Sequence, residues 1–169
     1  MTGKCISSAI AGHVDHGKTT LVRCLTSVDM NRLTEEKRRG FSIESGVAPL
    51  DLPSGTSVAL VDVPGQTRFL KNTIRGLSCV DMAILVAAAN DGLMPQTLDH
   101  LDILNLLKVR SGFIVLSKAD LVDEETLELV VMEIQEMFKG TFRNGKPVVP
   151  FSAMDQRRIA AIVRRDALF

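Results

Sequence analysis

The chain has 169 residues, 46% of them apolar and 24% charged, with 20 lysines plus arginines against 20 aspartates plus glutamates. That length buries a core in one domain without disulfides or structural metal, and the composition is that of a globular chain. The even charge balance argues against a general electrostatic grip on DNA or an anionic membrane, and no apolar run approaches the roughly 18 residues of a spanning helix. With no secretion signal at the start, the expectation is a soluble, cytoplasmic, monomeric domain.

Cys5, Cys24 and Cys79 are an odd number with no C-x-x-C pair, so they read as small buried or half-buried thiols in a reducing compartment. The aromatic residues are all phenylalanine, which leaves no stacking platform for single-stranded nucleic acid.

Along the chain, short apolar runs alternate with amphipathic stretches, the pattern of βαβ units around a largely parallel sheet. Ile6–Ile10 reads as a first strand, followed by a glycine-bearing turn and a helix over Thr19–Leu25. Gly46–Leu52 and Ser57–Val63 read as strands of an antiparallel hairpin, joined by the turn Pro53-Ser54-Gly55. Met82–Ala88 and Gly112–Leu116 are continuous apolar runs, suited to strands buried on both faces. Pro95 fits the first turn of a helix carrying Leu98, Leu101 and Leu104, with Asp91 or the following loop near its start.

Asp123 is a good N-cap for a further helix whose stripe is Leu127, Val130, Ile134 and Met137. Its acidic residues Glu124, Glu125, Glu128, Glu133 and Glu136 read as a solvated face. Val148–Phe151 reads as the last strand, and Asp155–Leu168 as a short closing basic helix.

The strongest chemical signal is Gly12-His13-Val14-Asp15-His16-Gly17-Lys18-Thr19, which matches G-x-x-x-x-G-K-[ST] between a strand and a helix. Glycines there let backbone N–H groups turn toward phosphate oxygens, and the helix N-terminus adds a favourable field. Lys18 can bridge the outer phosphates, and Thr19 can offer its hydroxyl to Mg²⁺, with Thr20 next to it. His13 and His16 lie inside this loop, a spacing that suits phosphate binding better than a metal site.

Asp62-Val63-Pro64-Gly65 ends an apolar strand; the aspartate can hold Mg²⁺ through water, and the glycine N–H can meet a γ-phosphate. Ser117-Lys118-Ala119-Asp120 follows another buried strand. A carboxylate there can accept from guanine N1–H and its 2-amino group, a pair that adenine lacks, which disfavours an ATP-using kinase or transporter. Ser152-Ala153-Met154 follows the last strand, where a backbone N–H can reach guanine O6.

These elements, in this order, resemble the GTP-binding domain of translational GTPases. Ala11–Leu21, Asn31–Gly40 (NRLTEEKRRG), Asp62–Gly65 and Pro95–Leu101 carry the resemblance, which spans Ile6 to Ala153. The Asn31–Gly40 stretch leans toward selenocysteine-specific elongation factors, away from elongation factor Tu and from the gamma subunit of initiation factor 2.

The resemblance implies a three-layer, Ras-like α/β domain with a mostly parallel six-stranded sheet and one antiparallel strand. It implies GTP and GDP with Mg²⁺ as ligands, and GTP hydrolysis coupled to delivery of an aminoacyl-tRNA, selenocysteinyl-tRNA, at the ribosome. It also implies that residues 1–169 are the excised N-terminal domain of a larger factor. Asp15 takes the family position credited with a monovalent cation.

Three positions depart from the family pattern. Ser42 stands where the family has the switch threonine serving Mg²⁺, after Phe41 at the apolar gate facing Val14. Gln66 stands where the translational family has histidine; glutamine can orient the attacking water, so Gln66 and Lys18 are the catalytic candidates. Ser117 replaces the usual asparagine or threonine, a change expected to cost hydrogen bonding between loops. A degraded catalytic apparatus at Ser42 and Gln66 would leave a switch that binds GTP and GDP without hydrolysing.

Overall fold

Six strands form one sheet in the order β2-β3-β1-β4-β5-β6, in a computed structural model that describes residues 5–28, 46–64, 74, 77, 80–109, 111–138 and 147–155. The Asn31–Gly40 stretch, Phe41, Ser42, Gly65, Gln66, Cys79 and the expected closing helix after Asp155 lie outside the described residues. The strands are β1 (Cys5–Gly12), β2 (Gly46–Asp51), β3 (Ser57–Asp62), β4 (Met82–Ala88), β5 (Ser111–Ser117) and β6 (Val148–Pro150). The helices are α1 (Lys18–Thr26), α2 (Pro95–Leu106) and α3 (Glu124–Met137).

Only β2 runs antiparallel, paired with β3 from Gly46↔Asp62 to Asp51↔Ser57; β1 lies parallel between β3 and β4, and β5 and β6 continue parallel beyond β4. Pro49 sits in β2, where an edge strand tolerates its missing N–H.

Alternation along the central strands builds two cores. Ile10, Val86, Phe113 and Val115 face α1 with Leu21 and Val22, and Phe151 closes that layer. Ala9, Ala11, Leu85, Ile114 and Leu116 face the opposite side, against Leu101 and Leu104 of α2 and Ile134 of α3. A fully buried side chain such as Phe113 is worth about 1.5–3 kcal/mol over its exposed state, so these strands are firmly registered. The three layers and the single antiparallel pair are those the resemblance implies.

Two helical faces differ from the sequence reading. Among the described side chains of α2 the buried ones are Thr97, His100, Leu101 and Leu104, whereas Leu98 is 36% exposed. The helix turns its i, i+3, i+4 stripe of Thr97, His100, Leu101 and Leu104 to the sheet, one position round from Leu98. Its N-cap is Met94, with no side-chain cap; Asp91 belongs to the preceding turn.

In α3 Asp123 caps as expected, accepting from Thr126 N–H at 2.7 Å. Met137 is 44% exposed and Phe138, just past the helix, takes the buried position. The five glutamates are all exposed. Cys5 is exposed at the outer end of β1 rather than buried, and Cys24 is half-buried.

Candidate functional site

The chain reverses direction across the sheet at β1, because β3 follows on one side of it and β4 on the other. The crevice beyond the carboxyl end of such a strand is where open α/β sheets bind ligands. Residues 12–17 occupy that place, between β1 and α1.

Gly12 has φ 143°, and a Cβ built on it would lie 2.2 Å from the Val86 carbonyl oxygen of β4. Only glycine lets the chain leave the sheet there. Gly17 has φ 82° at the N-cap of α1, and Asp15 takes φ 62° although it is not a glycine. The loop therefore curls around itself. Lys18 is buried, and its ammonium donates to the His13 carbonyl across the loop at 2.7 Å. Burial lowers its pKa to about 8, partly offset by the carboxylates of Asp62 and Asp15.

All three histidines of the chain gather here. His13 and His16 pack edge to face with centroids 5.0 Å apart. Burial, with His13 alongside, depresses His16 to about 4. His13 is lowered by burial and by Lys18. His16 therefore stays neutral at physiological pH, and its 3.8 Å approach to the Asp91 carboxylate is not an ion pair. His100 reaches in from α2 and accepts the Gly12 N–H on Nδ1 at 2.9 Å.

Thr19 Oγ1 donates to Asp62 Oδ2 at 2.5 Å, which joins the start of α1 to the end of β3. A hydroxyl and a carboxylate this close are hard oxygen donors of the kind that hold Mg²⁺ beside phosphate, so the pair fits that ion. Among the described residues no group of three or more His, Cys, Asp or Glu could hold a metal ion. Val63 and Pro64 are buried just beyond; Val63 N–H donates to the Ile10 carbonyl at 3.2 Å.

On the other side, Ser117 Oγ lies 2.6 Å from the His16 carbonyl oxygen and 3.1 Å from that of Ala87, sharing one proton between them. A loop-to-loop bond is thus made with serine at this position. Ser117 Oγ is also 3.7 Å from where a Gly17 Cβ would sit, so the short side chain suffices because the loops approach closely.

Lys118 takes φ 54° in the turn that follows and lies 3.6 Å from the Asp91 carboxylate, a half-exposed pair of small energetic weight. Ala119 N–H donates to the Phe151 carbonyl at 3.1 Å and Phe151 N–H to the Leu116 carbonyl at 2.8 Å, which joins the end of β5 to the end of β6. Met154 N–H donates to Ser152 Oγ at 3.1 Å, closing the turn after β6.

Between the loops lies a cavity of about 220 Å³. Asp15, Gly17 and Thr20 line it from the phosphate-loop side, and Ser117, Lys118 and Asp120 from β5. Leu121, Phe151, Ala153 and Met154 give it apolar walls, and Asp120 is solvent-exposed. Every described residue expected at the site thus borders the ends of β1, β3, β5 and β6. Sequence reasoning missed Leu121, Phe151 and His100. The available signal for His100 was a histidine on the apolar stripe of α2.

An apolar cavity between a phosphate loop and the end of β5, with a hydroxyl–carboxylate pair beside the loop, is the arrangement of a phosphate-loop nucleotide-binding domain. Comparison with known proteins narrows this class. Residues 4–165 match the family described as Elongation factor Tu GTP binding domain, and the chain belongs to that family.

The chain is 48% identical over 143 residues to the selenocysteine-specific elongation factor of Desulfomicrobium baculatum, covering 85% of this chain and 23% of that protein. The crystal structure of bacterial selenocysteine-specific elongation factor EF-Sec superposes with a TM-score of 0.89 at 41% identity, over 94% of this chain and 27% of that one. Elongation factor SelB from Methanococcus maripaludis, in complex with the GTP analogue GppNHp, has a TM-score of 0.79 at 25% identity, over 97% and 34%. Translation initiation factor 2 subunit gamma of Thermococcus kodakarensis is a lesser match, 36% identical over 88% of this chain and 42% of that protein. The chain spans about a quarter of the length of the Desulfomicrobium relative. The resemblance read from the motifs is borne out at the level of a translational GTPase domain similar to selenocysteine-specific factors.

Proposed function

We propose that this chain binds GTP and GDP and hydrolyses GTP, as the switch domain of a larger elongation factor that delivers selenocysteinyl-tRNA to the ribosome. The observation that carries the reading is the cavity bounded by both the phosphate loop and residues 117–120, with Ser117 bonded to the His16 carbonyl. Base and phosphates of one nucleotide would span those two loops.

In this reading the exposed N–H groups of the loop and the start of α1 bind the phosphates. Lys18 exchanges the His13 carbonyl for a phosphate oxygen, which offsets the cost of its burial. Asp120 accepts from guanine N1–H and the 2-amino group, and the backbone of Ser152–Met154 faces O6. Thr19 and Asp62, with Ser42 from the switch loop, would hold Mg²⁺, which would supply charge neutralisation at the phosphates. Gln66 orients the attacking water through its side-chain amide and removes no proton.

Support for selenocysteinyl-tRNA comes from the two selenocysteine-specific relatives and from the Asn31–Gly40 stretch. A single-turnover phosphate-release assay, with and without ribosomes, tests the hydrolytic part. Gln66→Ala should slow release while leaving GTP affinity within about twofold, roughly 0.4 kcal/mol. Release unchanged in both conditions would reject Gln66 as catalytic and favour a switch that only binds.

A further inference from the structure

Gly12 is where the phosphate loop leaves the sheet, in register with Val86 of β4. The acceptor of its N–H comes from a different layer, 88 residues further along: Nδ1 of His100, at 2.9 Å in a buried setting. An imidazole nitrogen that accepts a hydrogen bond carries no proton, so the ring is neutral with its hydrogen on Nε2. Burial, with the Lys18 ammonium and His13 facing the ring, depresses its pKa to about 4 and keeps it in that form. At the other end of the loop, Ser117 Oγ donates to the His16 carbonyl at 2.6 Å. The loop is thus held at its entry by a helix of one layer and near its exit by the end of β5.

We infer that His100 is a positioning residue for nucleotide binding: its Nδ1 holds the Gly12 N–H and so fixes the loop entry from which the later N–H groups turn toward phosphate. This rests on the nucleotide-binding reading above. Thr97, Leu101 and Leu104 lie on the same buried stripe of α2 as His100, and Leu101 and Leu104 pack against the sheet. The orientation of α2 is therefore tied to the loop through one hydrogen bond. A side chain of similar size without an acceptor leaves the Gly12 N–H buried and unmatched. Packing alone would not distinguish acceptor from non-acceptor.

The test uses the full chain with two replacements of similar size. His100→Leu removes the acceptor, and His100→Asn restores one, because the amide oxygen stands where Nδ1 was. GDP affinity is read by calorimetry, and GDP release by the fluorescence of a labelled GDP. His100→Leu should weaken GDP binding about tenfold and His100→Asn less than about threefold, the scale of one buried hydrogen-bond partner. His100→Leu binding as tightly as the unmodified chain, or His100→Asn binding no better than His100→Leu, would overturn the inference.

Should His100→Leu not fold, nitrogen NMR of the unmodified chain decides. The expected signature is an Nε2-protonated ring with scalar coupling across the Gly12 N–H to Nδ1; a proton on Nδ1 overturns the inference. Failure of the unmodified chain to bind GDP at all would reject the parent reading and with it any role in binding. The pattern across the variants bears on His100 alone.

Discussion

Ser117 Oγ donates to the carbonyl oxygen of His16 at 2.6 Å, so a residue at the end of β5 is bonded directly to the phosphate loop 101 positions earlier. The same hydroxyl lies 3.1 Å from the Ala87 carbonyl on β4. One short side chain therefore links the phosphate loop, β4 and β5. Ser117→Ala removes the only proton these two carbonyls share. The expected cost is about 1 kcal/mol of stability together with nucleotide binding several-fold weaker. Thermal unfolding and calorimetry with GDP check both, and unchanged affinity would show that the link does not shape the site.

Gly12 allows no side chain. A Cβ would sit 2.2 Å from a backbone oxygen of the adjacent strand, and the φ of 143° is itself unfavourable for other residues. Backbone in a central strand cannot move aside cheaply. Gly12→Ala should destabilise the chain by about 4 kcal/mol or more, seen as a large fall in denaturant midpoint. A midpoint within error of the unmodified chain would contradict the strand register described here.

Lys18 carries the opposite expectation. Its charge is buried, and burial lowers its pKa to about 8, so folding is resisted rather than helped by the ammonium. Lys18→Met should melt at an equal or higher temperature without nucleotide. It should nevertheless bind GDP at least about tenfold more weakly, roughly 1.4 kcal/mol. Loss of stability with retained affinity would reverse the assignment.

The histidine cluster sets an acid limit. His16 and His100 titrate near 4 in the folded chain against 6.5 for an unperturbed ring. Between those values the unfolded chain takes up protons that the folded chain refuses. Stability is therefore full above pH 6.5 and falls as pH drops, by up to about 1.4 kcal/mol per pH unit for each ring. Melting temperatures from pH 7.5 to 5 should show the fall, and His16→Gln should make it shallower. A flat profile over that range would mean that the rings are not held neutral.

Much of this was legible in the sequence, for physical reasons that differ by element. Met82–Ala88 is buried on both faces, so its apolar run has the same bounds as the strand. Ser111 and Ser117 extend β5 beyond its apolar run because pairing with Met82 and Ala88 carries the ladder outward. The phosphate loop and the residues of 117–120 were readable because their chemistry demands particular residue types at fixed spacing.

The face of α2 was not readable. Leucines at 98, 101 and 104 suggested one stripe, but the helix turns Thr97 and His100 inward, and His100 is kept there by an acceptor role toward Gly12. A contact spanning 88 residues leaves no local mark beyond a histidine on an apolar stripe. The bond from Ser117 was not readable for a related reason. The close approach of the Gly17 backbone, which brings the carbonyl of His16 within reach, depends on segments far apart in the chain.

The proposed guanine-nucleotide site turns most sharply on Asp120, on the rim of the cavity. Calorimetry with GDP, ADP and xanthosine diphosphate, on the unmodified chain and on Asp120→Asn, tests it most directly. The unmodified chain should bind GDP and reject ADP, by a margin on the order of several kcal/mol. Asp120→Asn should lose GDP and gain xanthosine diphosphate, because xanthine offers an acceptor where guanine has its 2-amino group. Comparable binding of ADP and GDP by the unmodified chain, or an Asp120→Asn variant that still prefers GDP, would contradict it.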